Sequence, residues 1–135
     1  MKLDHLALKV GDLGRARAWY TTVLGLTVEF ESTDPAVVGV KDESDFTLIL
    51  TESRDAVSDC SLFFQVDDVA VTHQGLASSG VEFLYGPQRN DWGYGAGLID
   101  PDGRLVGLWD EASMQGVTRR KPTPPRGRSR DQNRR

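Results

Sequence analysis

Residues 3–10 alternate. Leu3, His5, Ala7 and Lys9 fall on one face of an extended chain; Leu6, Leu8 and Val10 fall on the other. A period of two with one apolar face predicts a half-buried strand. The period then changes. Leu13, Ala16, Tyr20, Val23 and Leu24 recur at helical spacing, which predicts a helix over 13–24 with Asp12 as N-cap and Gly25 beyond its end. Short strands follow near 27–31, 36–41 and 46–51, and 54–59 reads as a linker. The same signals then return: a strand over 61–66, a helix over 69–79 and a strand over 81–85. A loop with Pro87, Asn90 and Gly93 leads to strands near 95–99 and 105–109, joined by the turn Pro101-Asp102-Gly103.

The two halves also share residues. LDHLALKVGDL at 3–13 is matched by DCSLFFQVDDV at 59–69, and Gly25-Leu26-Thr27-Val28-Glu29-Phe30 by Gly80-Val81-Glu82-Phe83. A duplicated supersecondary unit is expected to pack against its own copy. Each half reads β-α-β-β-β, and one helix per four strands predicts an α+β fold rather than a doubly wound α/β sheet. The expected organisation is one domain over 1–114, with modules of about 1–57 and 58–114, and a basic tail over 115–135.

Composition narrows the classes. No apolar run approaches the ~20 residues of a membrane span, and the N-terminus enters a strand at once, which predicts no signal peptide. The single cysteine, Cys60, opens an apolar strand and fits a buried thiol in a reducing, cytoplasmic protein. The net charge of −4 hides a split. Residues 1–118 carry eight Lys/Arg against 19 Asp/Glu, whereas 119–135 carry eight Lys/Arg against Asp131 alone. An acidic body favours cationic ligands and disfavours nucleic acid. The tail, rich in Pro, Arg and Ser, is expected to stay disordered, with weak nucleic-acid contact its one route to such a partner.

The ordered set of motifs resembles the vicinal oxygen chelate superfamily, which includes glyoxalase I, bleomycin-resistance proteins and extradiol dioxygenases. The resemblance rests on 5–13 (HLALKVGDL), Ala18-Trp19-Tyr20, Val23-Leu24-Gly25-Leu26 and Asp100-Pro101-Asp102-Gly103, and spans roughly 3–112. It implies two βαβββ modules in a curved sheet around a concave cavity, commonly within a homodimer. It also implies a divalent metal, such as Mn, Fe, Ni or Zn, held at positions that here are His5, Ile49, Ser61 and Gly107. Only His5 is a usual ligand. The nearby Glu52 and Asp110 lie an odd number of residues from the ligand positions, so strand alternation turns them away. One histidine falls short of the three protein ligands of a catalytic metal site. The expectation is therefore no metal and no cofactor, with His5 the one ligand or general base if any. Asp4 is expected to point away from it.

Strand alternation assigns the rest of the cavity. His5, Ile49, Ser61, Phe63, Gln65, Gly107 and Trp109 face inward, with Leu3, Ala7, Lys9, Thr47, Thr51 and Leu105 beside them. Gly107 leaves room either for a ligand or for Phe63 or Trp109. Trp92 and Tyr94, set among Gly93, Gly95 and Gly97, offer flat faces for a planar or cationic molecule. His73 reads as a surface residue of the second helix. The resemblance closest in these features is to the metal-free bleomycin-resistance branch: a protein that sequesters or carries a partly planar compound, cationic by the charge argument. The alternatives are a lyase, isomerase or dioxygenase with a non-standard metal site including His5, and an interaction module acting through its tail.

Overall fold

The computed structural model describes residues 1–56, 60–90 and 93–114. The first half runs β1 (His5–Val10), α1 (Leu13–Thr22), β2 (Thr27–Thr33), β3 (Ala36–Lys41) and β4 (Thr47–Glu52). The second runs β5 (Leu62–Gln65), α2 (Val69–Ser78), β6 (Phe83–Asn90), β7 (Gly93–Ile99) and β8 (Leu105–Trp109), and a short α3 (Glu111–Met114) follows. The sheets have the same order, β1-β4-β3-β2 and β5-β8-β7-β6. In each, the first strand pairs parallel to the fourth and the other neighbours are antiparallel. This is the expected α+β fold of two βαβββ modules.

The apolar stripes decide which sheet face is covered. Leu8, Val10, Leu48 and Leu50 are buried in the first module, and Leu62, Ala96, Leu98, Val106 and Leu108 in the second. Ala16 and Tyr20 of α1 and Val69 of α2 close over them. His5, Ala7 and Lys9 stay exposed on the opposite face, as alternation requires. Both helices start on an aspartate. Asp12 Oδ1 accepts from Arg15 N at 2.8 Å, and Asp68 Oδ1 from Val71 N at 2.9 Å. Gly80, at φ 84°, ends α2 where a side chain would be strained, and Val81 N then reaches Leu76 O at 3.1 Å.

Several boundaries differ from expectation by one or two residues, and one by more. β1 starts at His5 rather than residue 3, and α1 stops at Thr22. β6 continues to Asn90, through the stretch with Pro87 that reads as a loop. Its register with β7 shifts between Tyr85 and Gln88, and β6 is an edge strand, where a missing N–H costs no ladder bond.

The modules are joined through the Asp100–Arg104 turn. Asp100 Oδ1 accepts from Asp102 N and Arg104 N at 2.9 and 2.8 Å, which shapes the turn. Its Oδ2 accepts from Arg104 Nη1 at 2.6 Å and from the Tyr20 hydroxyl of α1 at 2.7 Å. Arg104 Nη2 donates to Lys9 O of β1 at 3.0 Å. On the surface, Gly11 N donates to Asp102 Oδ1 at 2.8 Å and Arg15 Nη2 to Pro101 O at 3.1 Å. Arg104 and Asp100 are almost wholly excluded from water. Burial, then the hydrogen bond to Asp100, pushes the Tyr20 phenol well above its usual range.

Two substitutions separate the roles in this cluster. Tyr20→Phe removes one bond to a charged group and is expected to cost about 1.5–3 kcal/mol. Asp100→Ala strands a buried guanidinium and is expected to cost about 3–5 kcal/mol. Urea unfolding midpoints of the two variants measure the difference; equal losses would show that the ion pair is not what holds the modules together.

Candidate functional site

The sheet faces that carry no helix are organised in cross-strand rows. In the first module Ala7 pairs with Ile49, Ile49 with Gly39 and Gly39 with Phe30. The matching row of the second module is Phe63, Gly107, Gly97 and Tyr85. In three of these pairs an aromatic ring lies over a glycine. A Cβ on Gly39 would fall 2.3 Å from the Phe30 ring, one on Gly97 2.5 Å from Tyr85, and one on Gly107 2.4 Å from Phe63. Each glycine lets its partner ring lie down on the sheet. The next row sets Gln65 beside Trp109 and Trp109 beside Gly95. A Cβ on Gly95 would meet Leu108 O at 2.5 Å, so backbone approach alone demands glycine there.

Phe63, Gln65, Gly107 and Trp109 therefore share one face, with Phe63 64% exposed and Trp109 half-buried. Ser61 precedes β5 and is exposed; Ile49 is half-buried on the first sheet and His5 opens β1. Tyr94 lies in β7 rather than in a loop, one residue before Gly95, and packs half-buried against the core with Ala96 and Leu98. Trp92 lies outside the described residues. Asp4 departs from expectation. It precedes β1 and escapes strand alternation, and its carboxylate sits 3.2 Å from His5 Nδ1. His73 is half-buried rather than a surface residue, its ring edge-on to Phe83 with centroids 4.4 Å apart.

A concavity lies between the modules. It is a groove of about 970 Å³ walled by the end of α1, the β3–β4 turn, β5 and the start of α2. Phe63 and Gln65 border it, and its floor includes Phe46, Leu48, Phe64 and Leu108.

A family model described as Glyoxalase/Bleomycin resistance protein/Dioxygenase superfamily matches residues 2–108. The chain belongs to this superfamily. No curated protein matches the sequence. Among solved structures, the superfamily fold is shared with TnmS3, an antibiotic binding protein from Streptomyces sp. CB03234, at 23% identity and TM-score 0.71, over 82% of this chain and 95% of that one. It is also shared with lactoylglutathione lyase from Agrobacterium tumefaciens, at 21% identity and TM-score 0.68, over 82% and 93%. A third is an integron cassette protein, HFX_CASS4, from the mobile metagenome of Halifax Harbour sewage outfall, at 20% identity and TM-score 0.69, over 79% and 96%.

Of the four positions at which the resemblance implies metal ligands, His5 alone carries a usual donor. The Phe63 ring fills the space into which a side chain at position 107 would project. Ile49 offers no donor atom, and Ser61 offers one hydroxyl. The two nearest carboxylates are engaged on the helix side. Glu52 Oε2 accepts from Leu13 N at 3.0 Å, at the start of α1. Asp110 Oδ2 accepts from Val69 N at 2.8 Å, at the start of α2, and its Oδ1 accepts from Ser113 N at 2.8 Å and from the Ser113 hydroxyl. Among the described residues no group of three or more His, Cys, Asp or Glu comes together. The superfamily repeat thus yields a double cap: an N-cap aspartate plus a carboxylate from the end of the fourth strand, in both copies. Strand alternation signals which way Glu52 and Asp110 face; their partners, 39 and 41 residues away, leave no local signal.

The hydrogen bonds from Ser113, then from Val69, hold the Asp110 carboxyl below the usual carboxylate range. A depressed folded pKa adds stability that is present above the ordinary aspartate value, about 3.9, and is lost as pH falls through the folded value. Asp110→Asn is expected to cost about 0.5–2 kcal/mol at neutral pH, the worth of a cap. That gap should close as the buffer is acidified below about pH 4. Thermal melts of both proteins from neutral to acid pH test this, and a gap that stays constant would show that the charge of Asp110 contributes nothing.

Proposed function

We propose that this protein binds a small, partly planar molecule on the helix-free face of its second module, without a metal, as a carrier or sequestering protein in the cytoplasm. The observation that carries the reading is the Phe63 ring lying over Gly107. Position 107, at which the resemblance implies a metal ligand, is covered by an aromatic ring. Phe63, Tyr85 and Trp109 surround glycines on one face, with Gln65 as a polar neighbour. Such a surface stacks flat rings and gains further from positive charge. The acidic body adds long-range attraction for cations. The TnmS3 likeness, to a protein titled antibiotic binding, agrees with this reading. A homodimer is part of it. Among the described residues, β1 pairs only with β4 and β5 only with β8, and Phe63 and Leu6 are exposed beside those free edges, apolar surface that a second copy would cover.

A second reading has one observation in its favour. Asp4 beside His5 Nδ1 can orient the imidazole and leave its other nitrogen to act as a base, or as the single histidine ligand of a non-standard metal site in a lyase, isomerase or dioxygenase.

Two measurements on the purified protein decide between them. Tryptophan fluorescence is titrated with planar cationic dyes of the acridine and phenanthridinium types, and metal content is read by mass spectrometry after exposure to Mn, Fe, Ni and Zn. The expected result is saturable quenching weakened about tenfold in Phe63→Ala, corresponding to about 1.4 kcal/mol of lost stacking. Metal should stay far below one ion per chain and be unchanged in His5→Ala. Stoichiometric metal that disappears in His5→Ala would overturn the metal-free reading in favour of the enzyme.

A further inference from the structure

The groove between the modules has features that the proposed ligand face does not explain. Its walls carry acids from both halves of the chain: Asp42 and Glu43 from the β3–β4 turn, and Asp67 and Asp68 ahead of α2. Asp42 and Asp68 each spend one oxygen on backbone, holding the turn and capping α2. Glu43 and Asp67 are exposed. Between these acids the floor is apolar, with Phe46 and Phe64 among its residues. Lys41 is the one cation among the described lining residues, and its ammonium pairs with Asp45 at 3.4 Å, so a groove with an apolar floor and two largely acidic walls remains complementary to a chain that combines basic residues and prolines.

This protein carries such a chain. Residues 119–135 read RRKPTPPRGRSRDQNRR, in which Pro122, Pro124 and Pro125 stand between Arg119-Arg120-Lys121 and Arg126, Arg128 and Arg130. The point of departure also favours the groove. Ser113, in the last described turn, is bonded to Asp110, and Asp110 is bonded to Val69 N. Val69 directly follows the groove residues Asp67 and Asp68. The last described residues therefore lie beside one acidic wall, and the four residues between Met114 and Arg119 can span at most roughly 3.3–3.6 Å each.

We propose that the groove between the modules is the docking site of the protein's own basic, proline-containing segment 119–135. Prolines lie over the apolar floor while Arg and Lys pair with Glu43 and Asp67. Tethering makes the encounter intramolecular, so modest contacts suffice. Because the attraction is largely between exposed charges, it weakens as salt rises. The groove meets the proposed ligand face at Phe63 and Gln65, but the inference rests on the acidic walls and apolar floor and not on that face.

Paramagnetic relaxation in the full-length protein tests it. A nitroxide is attached at Ser129→Cys in a Cys60→Ser background, and amide signals are followed by NMR. The expected result is selective loss of the signals of 42–44 and 66–68. Those signals should recover in about 1 M salt, where the screening length falls to about 3 Å. They should also recover in the Glu43→Gln/Asp67→Asn protein, whose remaining spectrum reports an intact fold. Broadening spread evenly over the surface, or unaffected by those two substitutions, would overturn the proposal. So would broadening of isotope-labelled chains caused only by spin-labelled chains mixed with them, which would place the segment on a second copy.

Discussion

The fold depends on one buried ion pair. Asp100 and Arg104 sit four residues apart in a turn of the second module, yet the groups they satisfy belong to the first: the Tyr20 hydroxyl and the Lys9 carbonyl. A guanidinium with so little water around it is stable only if its partners are fixed. The docking of the two modules is thus set by hydrogen-bond geometry rather than by apolar contact alone. Among the described residues Arg104 Nε has no hydrogen-bond partner. A buried pair of this kind is better understood as a device for registry, which an apolar contact of equal area does not provide. The groove, whose walls come from both modules, inherits its shape from this docking.

The repeat clarifies what is structural and what is particular. The β3–β4 turn uses the same construction. Asp42 Oδ1 accepts from Ser44 N and Phe46 N, as Asp100 Oδ1 does from Asp102 N and Arg104 N, and Asp45 takes the positive φ that Gly103 takes. Phe46 stands where Arg104 stands in the other copy. The aspartate in each turn is therefore backbone chemistry, and the arginine is the addition that allows one turn to dock on the other module. A motif read as a family turn in sequence proves to be two things, a local Asx turn present twice and an intermodule contact present once.

Local signals in the sequence carried most of the fold. Strand patterns placed seven strands within a few residues of their ends, and Asp12 marked the start of α1 because a cap acts within its own turn; Asp68 plays the same part at α2. The departures are non-local or lie where a local rule lapses. β6 outruns the break that Pro87 signals because edge strands tolerate proline. Asp4 meets His5 because strand alternation has not begun there. Glu52 and Asp110 could be turned away from the metal positions by parity, but their service as second caps depends on how the strand ends approach the helix starts. For the site, the sequence showed that Gly107 leaves a gap; that Phe63 fills it required coordinates.

That filling changes what the second module can do. In the first module the corresponding row is Ala7, Ile49, Gly39 and Phe30, with one ring over one glycine. The second module keeps that pair as Tyr85 over Gly97 and adds Phe63 over Gly107, so two adjacent glycines are covered by rings arriving from opposite ends of the row. A carboxylate at 107 and an aromatic at 63 could not both lie on this face without displacing one another. Position 107 thus offers either a directed, charged donor or, as here, room for a broad, polarisable surface. The first arrangement selects ligands by coordination geometry, and the second by flatness and charge. With Phe63 64% exposed, this chain retains an aromatic that burial does not account for, a cost that binding would offset.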